Sequence, residues 1–190
     1  MGMRTRTTAL ATAVVAVAGL AGTVSLPAHA AAGSTKAAAA SSYYLHFDKI
    51  SNTNSRLYLK KSVPGTDRII KSYRAGSGVS TNECTRNKGW LPTKSYTIKK
   101  WNTSYNGSFI KGYAFQLNDT KCKNGTPRTE LFIHSEMTRG GGQGSTEPTR
   151  WDGVGDYKSA GCIKMSPNDI KDLYKRARAV GFPSKLVVTN

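Results

Sequence analysis

Cys162 stands in Ser159-Ala160-Gly161-Cys162-Ile163-Lys164-Met165, behind a glycine-rich loop and just ahead of the strongest helical signal in the chain. A thiol carries out acyl transfer when a small preceding residue lets backbone N–H groups converge on a developing oxyanion and an imidazole takes its proton. Gly161 is that small residue, and Cys162 is the candidate nucleophile. The sequence holds three histidines, His29, His46 and His134. His29 lies in the amino-terminal leader. His46 sits in an alternating run, Tyr43-Tyr44-Leu45-His46-Phe47, and reads as a surface or hydrogen-bonded strand histidine. His134 closes the apolar run Leu131-Phe132-Ile133 beside a long loop, where a scaffold commonly presents reactive groups. His134 is therefore the candidate base.

A free thiol must be reconciled with export. Arg4 and Arg6, an Ala/Val/Leu run from Ala9 to Leu26, and Ala28-His29-Ala30 have the form of a secretory signal cleaved after Ala30. The competing reading is a membrane anchor, against which the run is alanine-rich, is followed by a cleavage site and lacks a basic stop-transfer flank. No transmembrane segment is expected after cleavage. Residues 31–42, Ala/Ser/Thr-rich without large apolar side chains, read as a flexible leader, and residues 43–190 as one domain. Outside the cell disulfides persist. Of three cysteines, Cys84 and Cys122 lie in polar, turn-like segments, whereas Cys162 has apolar neighbours; we pair the first two and leave Cys162 free. Spacing does not fix that connectivity, and a disulfide through Cys162 would remove the nucleophile.

The elements that must position these groups are mostly strands. Short apolar runs bounded by turn residues predict strands at Tyr43–Phe47, Arg56–Lys60, Arg68–Tyr73, Ser95–Lys100, Phe109–Leu117 and Glu130–His134, with a closing strand at Leu186–Val188. Pro64-Gly65, Asn106-Gly107 and Asn124-Gly125 mark turns. Arg139 to Gly155 is a glycine-rich loop with a lone Trp151; it lacks the lysine and hydroxyl residue of a phosphate-binding loop. Ser166, Pro167 and Asp169 open a helix whose apolar stripe is Ile170, Leu173, Tyr174, Ala177 and Val180, and Gly181 ends it. The predicted class is mainly β (α+β), a mostly antiparallel sandwich or barrel-like fold with one well-defined helix after the cysteine motif.

The chain has 28 Lys and Arg against 11 Asp and Glu, a formal charge of +17. In a secreted protein such an excess suits anionic wall polymers, a membrane surface or nucleic acid, and does not choose among them. Two histidines and one thiol at unrelated spacings make no metal site, and no cofactor is expected.

Phe132-Ile133-His134-Ser135, followed by a loop, then Ser159-Ala160-Gly161-Cys162-Ile163-Lys164-Met165 with Asp169 behind it, resembles the YkuD-type L,D-transpeptidase domain. Gly89–Ile98 and Arg68–Gly78 resemble that family's earlier strands. The resemblance implies the family's barrel-like fold and a secreted cell-wall enzyme. It implies that His134, oriented by the Ser135 carbonyl, activates Cys162, with oxyanion donors on the backbone of Cys162, Gly161 and Ala160. Ser159, Lys164, Trp151 and Tyr157 are assigned to substrate binding.

The implied substrate is a peptidoglycan tetrapeptide stem, joined 3→3 to a second stem through an acyl-enzyme that a carbapenem would also form. A monomer without nucleic-acid partners is expected, anionic wall polymers being a further contact. Lys164 stands where the family usually has Arg, and the span from His134 to Cys162 is longer than usual. The other readings are an L,D-carboxypeptidase or Cys/His wall-peptide hydrolase, a non-catalytic wall-binding protein or protease inhibitor on the same scaffold, and a basic secreted ribonuclease using Glu83, Glu130, Glu136 or Glu147.

Overall fold

The computed structural model describes residues 42–190; the signal and most of the leader lie outside the described residues. The strands are β1 (Tyr43–Asp48), β2 (Ser55–Lys61), β3 (Arg68–Ser77), β4 (Ser95–Asn106), β5 (Lys111–Leu117), β6 (Thr120–Lys121), β7 (Pro127–Arg128), β8 (Phe132–His134), β9 (Ile163–Lys164) and β10 (Lys185–Thr189), with helix α1 (Pro167–Ala179). Eight of them close into a barrel in the order β1-β10-β4-β5-β8-β9-β3-β2. The sheet is mixed. β1 runs parallel to β10 and β8 parallel to β9, while the other barrel pairings are antiparallel.

Alternation in the sequence became alternation in space, because successive side chains of a strand point to opposite faces. Leu45 and Phe47 of β1, Leu57 and Leu59 of β2, Phe115 and Leu117 of β5, and Leu186 and Val188 of β10 fill one core. Ile170 and Leu173 of α1 join that same cluster, so the apolar stripe of the helix completes the barrel interior. Ser166 Oγ accepts from the Asp169 N–H at 3.2 Å, Pro167 takes the first helical position, and Gly181 follows the helix with φ +82°. Cap, first-turn proline and left-handed glycine occur where the sequence called for them.

Three features depart from expectation. β9 lies inside the cysteine motif and is only two residues long. The segment read as a structureless loop contains two single 3-10 turns, Glu147–Thr149 and Val154–Tyr157. The Asp156 carboxylate accepts from the backbone of Asp152 and Gly153 at 2.6 and 2.7 Å and closes the second of them. A parallel pair needs a crossover of a dozen or more residues, and the long segment between β8 and β9 is that crossover. Finally, β6 and β7 form a small hairpin turning at Asn124-Gly125, with Gly125 at φ +86°.

Cys84 and Cys122 are disulfide-bonded with a Cα separation of 5.4 Å, and Cys162 is free and buried. The bond ties the β6–β7 hairpin to the segment before β4, across a sequence separation of 38 residues. Two-residue strands have little stability of their own, so the cross-link supplies what pairing cannot. Replacing both cysteines by serine is expected to lower unfolding stability by about 3–4 kcal/mol by loop-closure entropy. Urea denaturation of the oxidised protein and the double variant checks this.

Candidate active site

Register places the candidate pair. β8 and β9 lie side by side with Ile133 opposite Ile163 and His134 opposite Lys164. Ile133 and Ile163 are fully buried in the core. By the two-residue repeat, His134, Lys164 and the preceding Cys162 project to the other face. They share the wall of a cavity of about 840 Å³, with Ser159, Ala160, Arg128 and Glu136 also lining it. His46 is remote from it: on β1, its Nε2 meets Thr189 Oγ1 at 2.8 Å.

His134 Nδ1 lies 3.2 Å from the Ser135 carbonyl oxygen. A carbonyl only accepts, so Nδ1 carries the proton and Nε2 keeps its lone pair. The Ser135 hydroxyl is buried and has no hydrogen-bond partner among the described residues. Burial, and then the Lys164 charge, push the His134 pKa down to about 3. The resting thiol of Cys162 donates to the Glu130 carbonyl at 3.5 Å. Glu130 is in the left-handed region at φ +54°, a conformation uncommon outside glycine. Burial pushes the Cys162 thiol up to about 11, against the opposing pulls of a Phe132 backbone hydrogen bond and of Lys164 and Arg128. At neutral pH both partners are therefore uncharged, the imidazole free to accept and the thiol holding its proton.

The loop before Cys162 is fixed atom by atom. Ser159 Oγ accepts from the N–H groups of Gly78 and Gly161 at 2.9 and 3.0 Å and donates to the Cys162 carbonyl at 2.7 Å. Ser77 Oγ donates to the Gly161 carbonyl at 3.3 Å. Of the backbone groups assigned to an oxyanion, the Gly161 N–H is thus occupied by Ser159 in the resting state. Gly161 has φ +129°, a conformation L side chains rarely adopt, and a Cβ there would lie 1.9 Å from Arg128 Nη2 and 3.1 Å from the Gly89 carbonyl, so the position calls for glycine.

Lys164 is 7 % exposed and its Nζ is paired with Glu136 Oε1. The charge expected to meet a substrate carboxylate already has a carboxylate partner. Glu136 Oε2 is buried with no hydrogen-bond partner among the described residues. In the sequence Glu136 is marked only as a candidate ribonuclease acid or base. Its place two residues beyond His134, just past the end of β8, was the signal that could have put it beside the site. Arg128, inside Pro127-Arg128-Thr129, carried no such signal. Trp151 and Tyr157 are not brought to the cavity. Their rings meet edge to face at 4.8 Å, and Tyr157 lies beneath the Arg74 guanidinium at 4.4 Å. The crossover reaches the cavity through Glu147 and Pro148 instead. Among the described residues no group of three or more His, Cys, Asp or Glu could hold a metal ion, and no helix is long and apolar enough to cross a membrane.

The L,D-transpeptidase catalytic domain model, YkuD, matches residues 42–187, and the chain belongs to that family. The family acts on peptidoglycan peptides. Among solved structures the chain is similar to Bd1075 of Bdellovibrio bacteriovorus, with 17 % identity, a TM-score of 0.52 and coverage of 82 % of this chain and 50 % of that one. It is also similar to Pgp2 of Campylobacter jejuni, a helical cell shape determining protein, with 15 % identity, a TM-score of 0.51 and coverage of 78 % and 48 %. These likenesses concern the fold, and the chain matches about half the length of each. No curated protein matches it at a significant level.

The buried neutral imidazole has a thermodynamic signature. Below an unfolded pKa near 6.5 the unfolded chain binds a proton that folded His134, at about 3, does not. Its contribution is complete above pH 6.5 and is lost as pH falls toward 3, with a limiting slope of about 1.4 kcal/mol per pH unit. His134→Gln should lose less stability than wild type between pH 7 and pH 4.5, by about 2 kcal/mol. Urea midpoints at the two pH values measure it, and equal losses would refute the assignment.

Proposed function

We propose that the protein is a secreted cysteine L,D-transpeptidase that joins peptidoglycan tetrapeptide stems 3→3. The observation that carries this reading is the convergence of a free Cys162 and an Nε2-unprotonated His134 on one cavity, in a chain of the L,D-transpeptidase catalytic domain family.

As a stem binds, the thiol turns from the Glu130 carbonyl and His134 Nε2 takes its proton. The sulfur attacks the carbonyl carbon of the third, diamino-acid residue. The oxyanion is held by the backbone N–H of Cys162, with Ala160 and Gly161 contributing once Ser159 releases the latter. Collapse breaks the peptide bond, and the leaving D-Ala amine takes the proton from His134. The thioester is then attacked by the side-chain amine of a second stem, whose proton His134 accepts; the C–S bond breaks as the 3→3 amide forms, and His134 returns the proton to the leaving Cys162 thiolate. Water in place of that amine gives the L,D-carboxypeptidase reaction. The neutral resting pair suits this order, because the thiol keeps its proton until the bound carbonyl carbon and the oxyanion donors are in place to take up the charge.

Purified protein given tetrapeptide muropeptides should yield a Cys162 acyl-enzyme by intact mass and 3→3 dimers by chromatography. Cys162→Ala should abolish both, and His134→Gln should slow acylation about 10²–10⁴-fold. Free tripeptide without dimers would assign the hydrolase. Dimers made by folded Cys162→Ala would end the reading.

A further inference from the structure

Arg128 is 3 % exposed, and its guanidinium donates to backbone carbonyls. Nη1 donates to the Glu83 carbonyl and to that of Trp90 at 3.1 Å; Nη2 donates to Gly89 at 2.9 Å and Ala160 at 3.3 Å. Among the described residues the ion pairs are Lys49–Glu83, Arg150–Glu147, Arg150–Asp152, Lys164–Glu136 and Arg176–Asp172, and Arg128 is in none of them. A buried guanidinium without a carboxylate is costly, and carbonyl dipoles offset only part of that cost.

The missing partner is an anion, and two transient anions arise beside Arg128. It lines the same cavity wall as Cys162. Its Nη2 lies against Gly161, where a Cβ would be 1.9 Å away, and it holds the carbonyl of Ala160. Lys164, the other buried cation on that wall, is already neutralised by Glu136, and Arg86, which also lines the cavity, is exposed to solvent. Arg128 is held in turn by the disulfide. Its hairpin carries Cys122, and the Glu83 carbonyl it binds adjoins Cys84.

We infer that Arg128 is the positioning residue of the Cys162 loop, clamping the Ala160–Gly161 peptide and serving as counter-ion to the thiolate and oxyanion, with the Cys84–Cys122 disulfide holding it there. The oxyanion role rests on the acyl-transfer reading above; the effect on the thiol does not. Burial raises the Cys162 pKa while the Arg128 charge opposes that rise, which agrees with the geometry.

The test is the pH–rate profile of Cys162 alkylation by iodoacetamide, followed by intact mass, beside acylation by a tetrapeptide stem. Arg128→Gln should move the alkylation midpoint up by about one pH unit, a tenfold loss of thiolate at a fixed pH below it, and slow acylation about 10²-fold. Arg128→Lys, which keeps the charge without the fork, should restore the midpoint and leave acylation slow. A folded Arg128→Gln with the wild-type midpoint overturns the counter-ion role. Arg128→Lys acylating at the wild-type rate overturns the clamp. Should Arg128→Gln not fold, wild type reduced with dithiothreitol replaces it: a raised midpoint with unchanged circular dichroism is expected, and an unmoved midpoint overturns the inference. A wild type that alkylates as expected yet never acylates would sink the proposed function and leave Arg128 decided by alkylation.

Discussion

The parallel pairing of β8 with β9 is the contact on which the rest of the structure depends. It closes the barrel between two antiparallel halves, and its register sets His134 against Lys164 with Cys162 one side-chain repeat behind. Because the pair is parallel, the chain must leave the sheet and return, which demands a crossover. A slip of one residue would send His134 and Cys162 into the core and turn Ile133 and Ile163 toward the cavity. The two buried isoleucines are thus what fixes the alignment of the reacting groups. Packing and chemistry are set by the same few residues.

Burial at that seam has a second consequence. An imidazole and a thiol removed from water both favour their neutral forms, which moves one pKa down and the other up. The protein resists a resting thiolate–imidazolium pair and keeps the proton on sulfur. Such a site is protected against adventitious alkylation and oxidation, which strike thiolates. The cost is that substrate binding must supply the conditions for proton transfer, so the rigid Ser159 and Gly161 contacts matter more than the acidity of the thiol. The disulfide contributes at a distance, by holding a hairpin too short to hold itself.

Much of this was legible in the sequence wherever many residues repeat one message. Alternation along short runs marks β1, β2 and β5, a short apolar run marks β10, and the cap, stripe and terminal glycine mark α1. The disulfide followed from the contrast between polar and apolar cysteine surroundings. What escaped was short or non-local. β9 is two residues within a glycine-rich motif, too few to show a period. Arg128 answers to carbonyls on three distant segments, and backbone acceptors leave no residue signature. A lone tryptophan in a loop reads as a ligand contact, whereas Trp151 meets the Tyr157 ring edge to face and Tyr157 in turn lies under Arg74. Glu136 was visible as a carboxylate, but its partner Lys164 is 28 positions away and only the β8–β9 register joins them.

The net charge of the chain and the charges of the site answer to different physics. Exposed lysines and arginines act through water and salt, which screen them over about 8 Å. They steer the protein toward polyanions and do little to a buried sulfur. Inside the cavity the screening is weak and each charge counts singly. Lys164 and Glu136 cancel there, and the lysine for which the sequence offered no neighbour does not need the bidentate geometry of arginine to pair with one carboxylate oxygen. The pairing also explains why a barrel wall tolerates Lys164 at 7 % exposure. Of a formal +17, the uncompensated charge that is both buried and on the wall of Cys162 reduces to the Arg128 guanidinium, bound only to neutral carbonyls, while Arg86 on the same wall is exposed and screened by water.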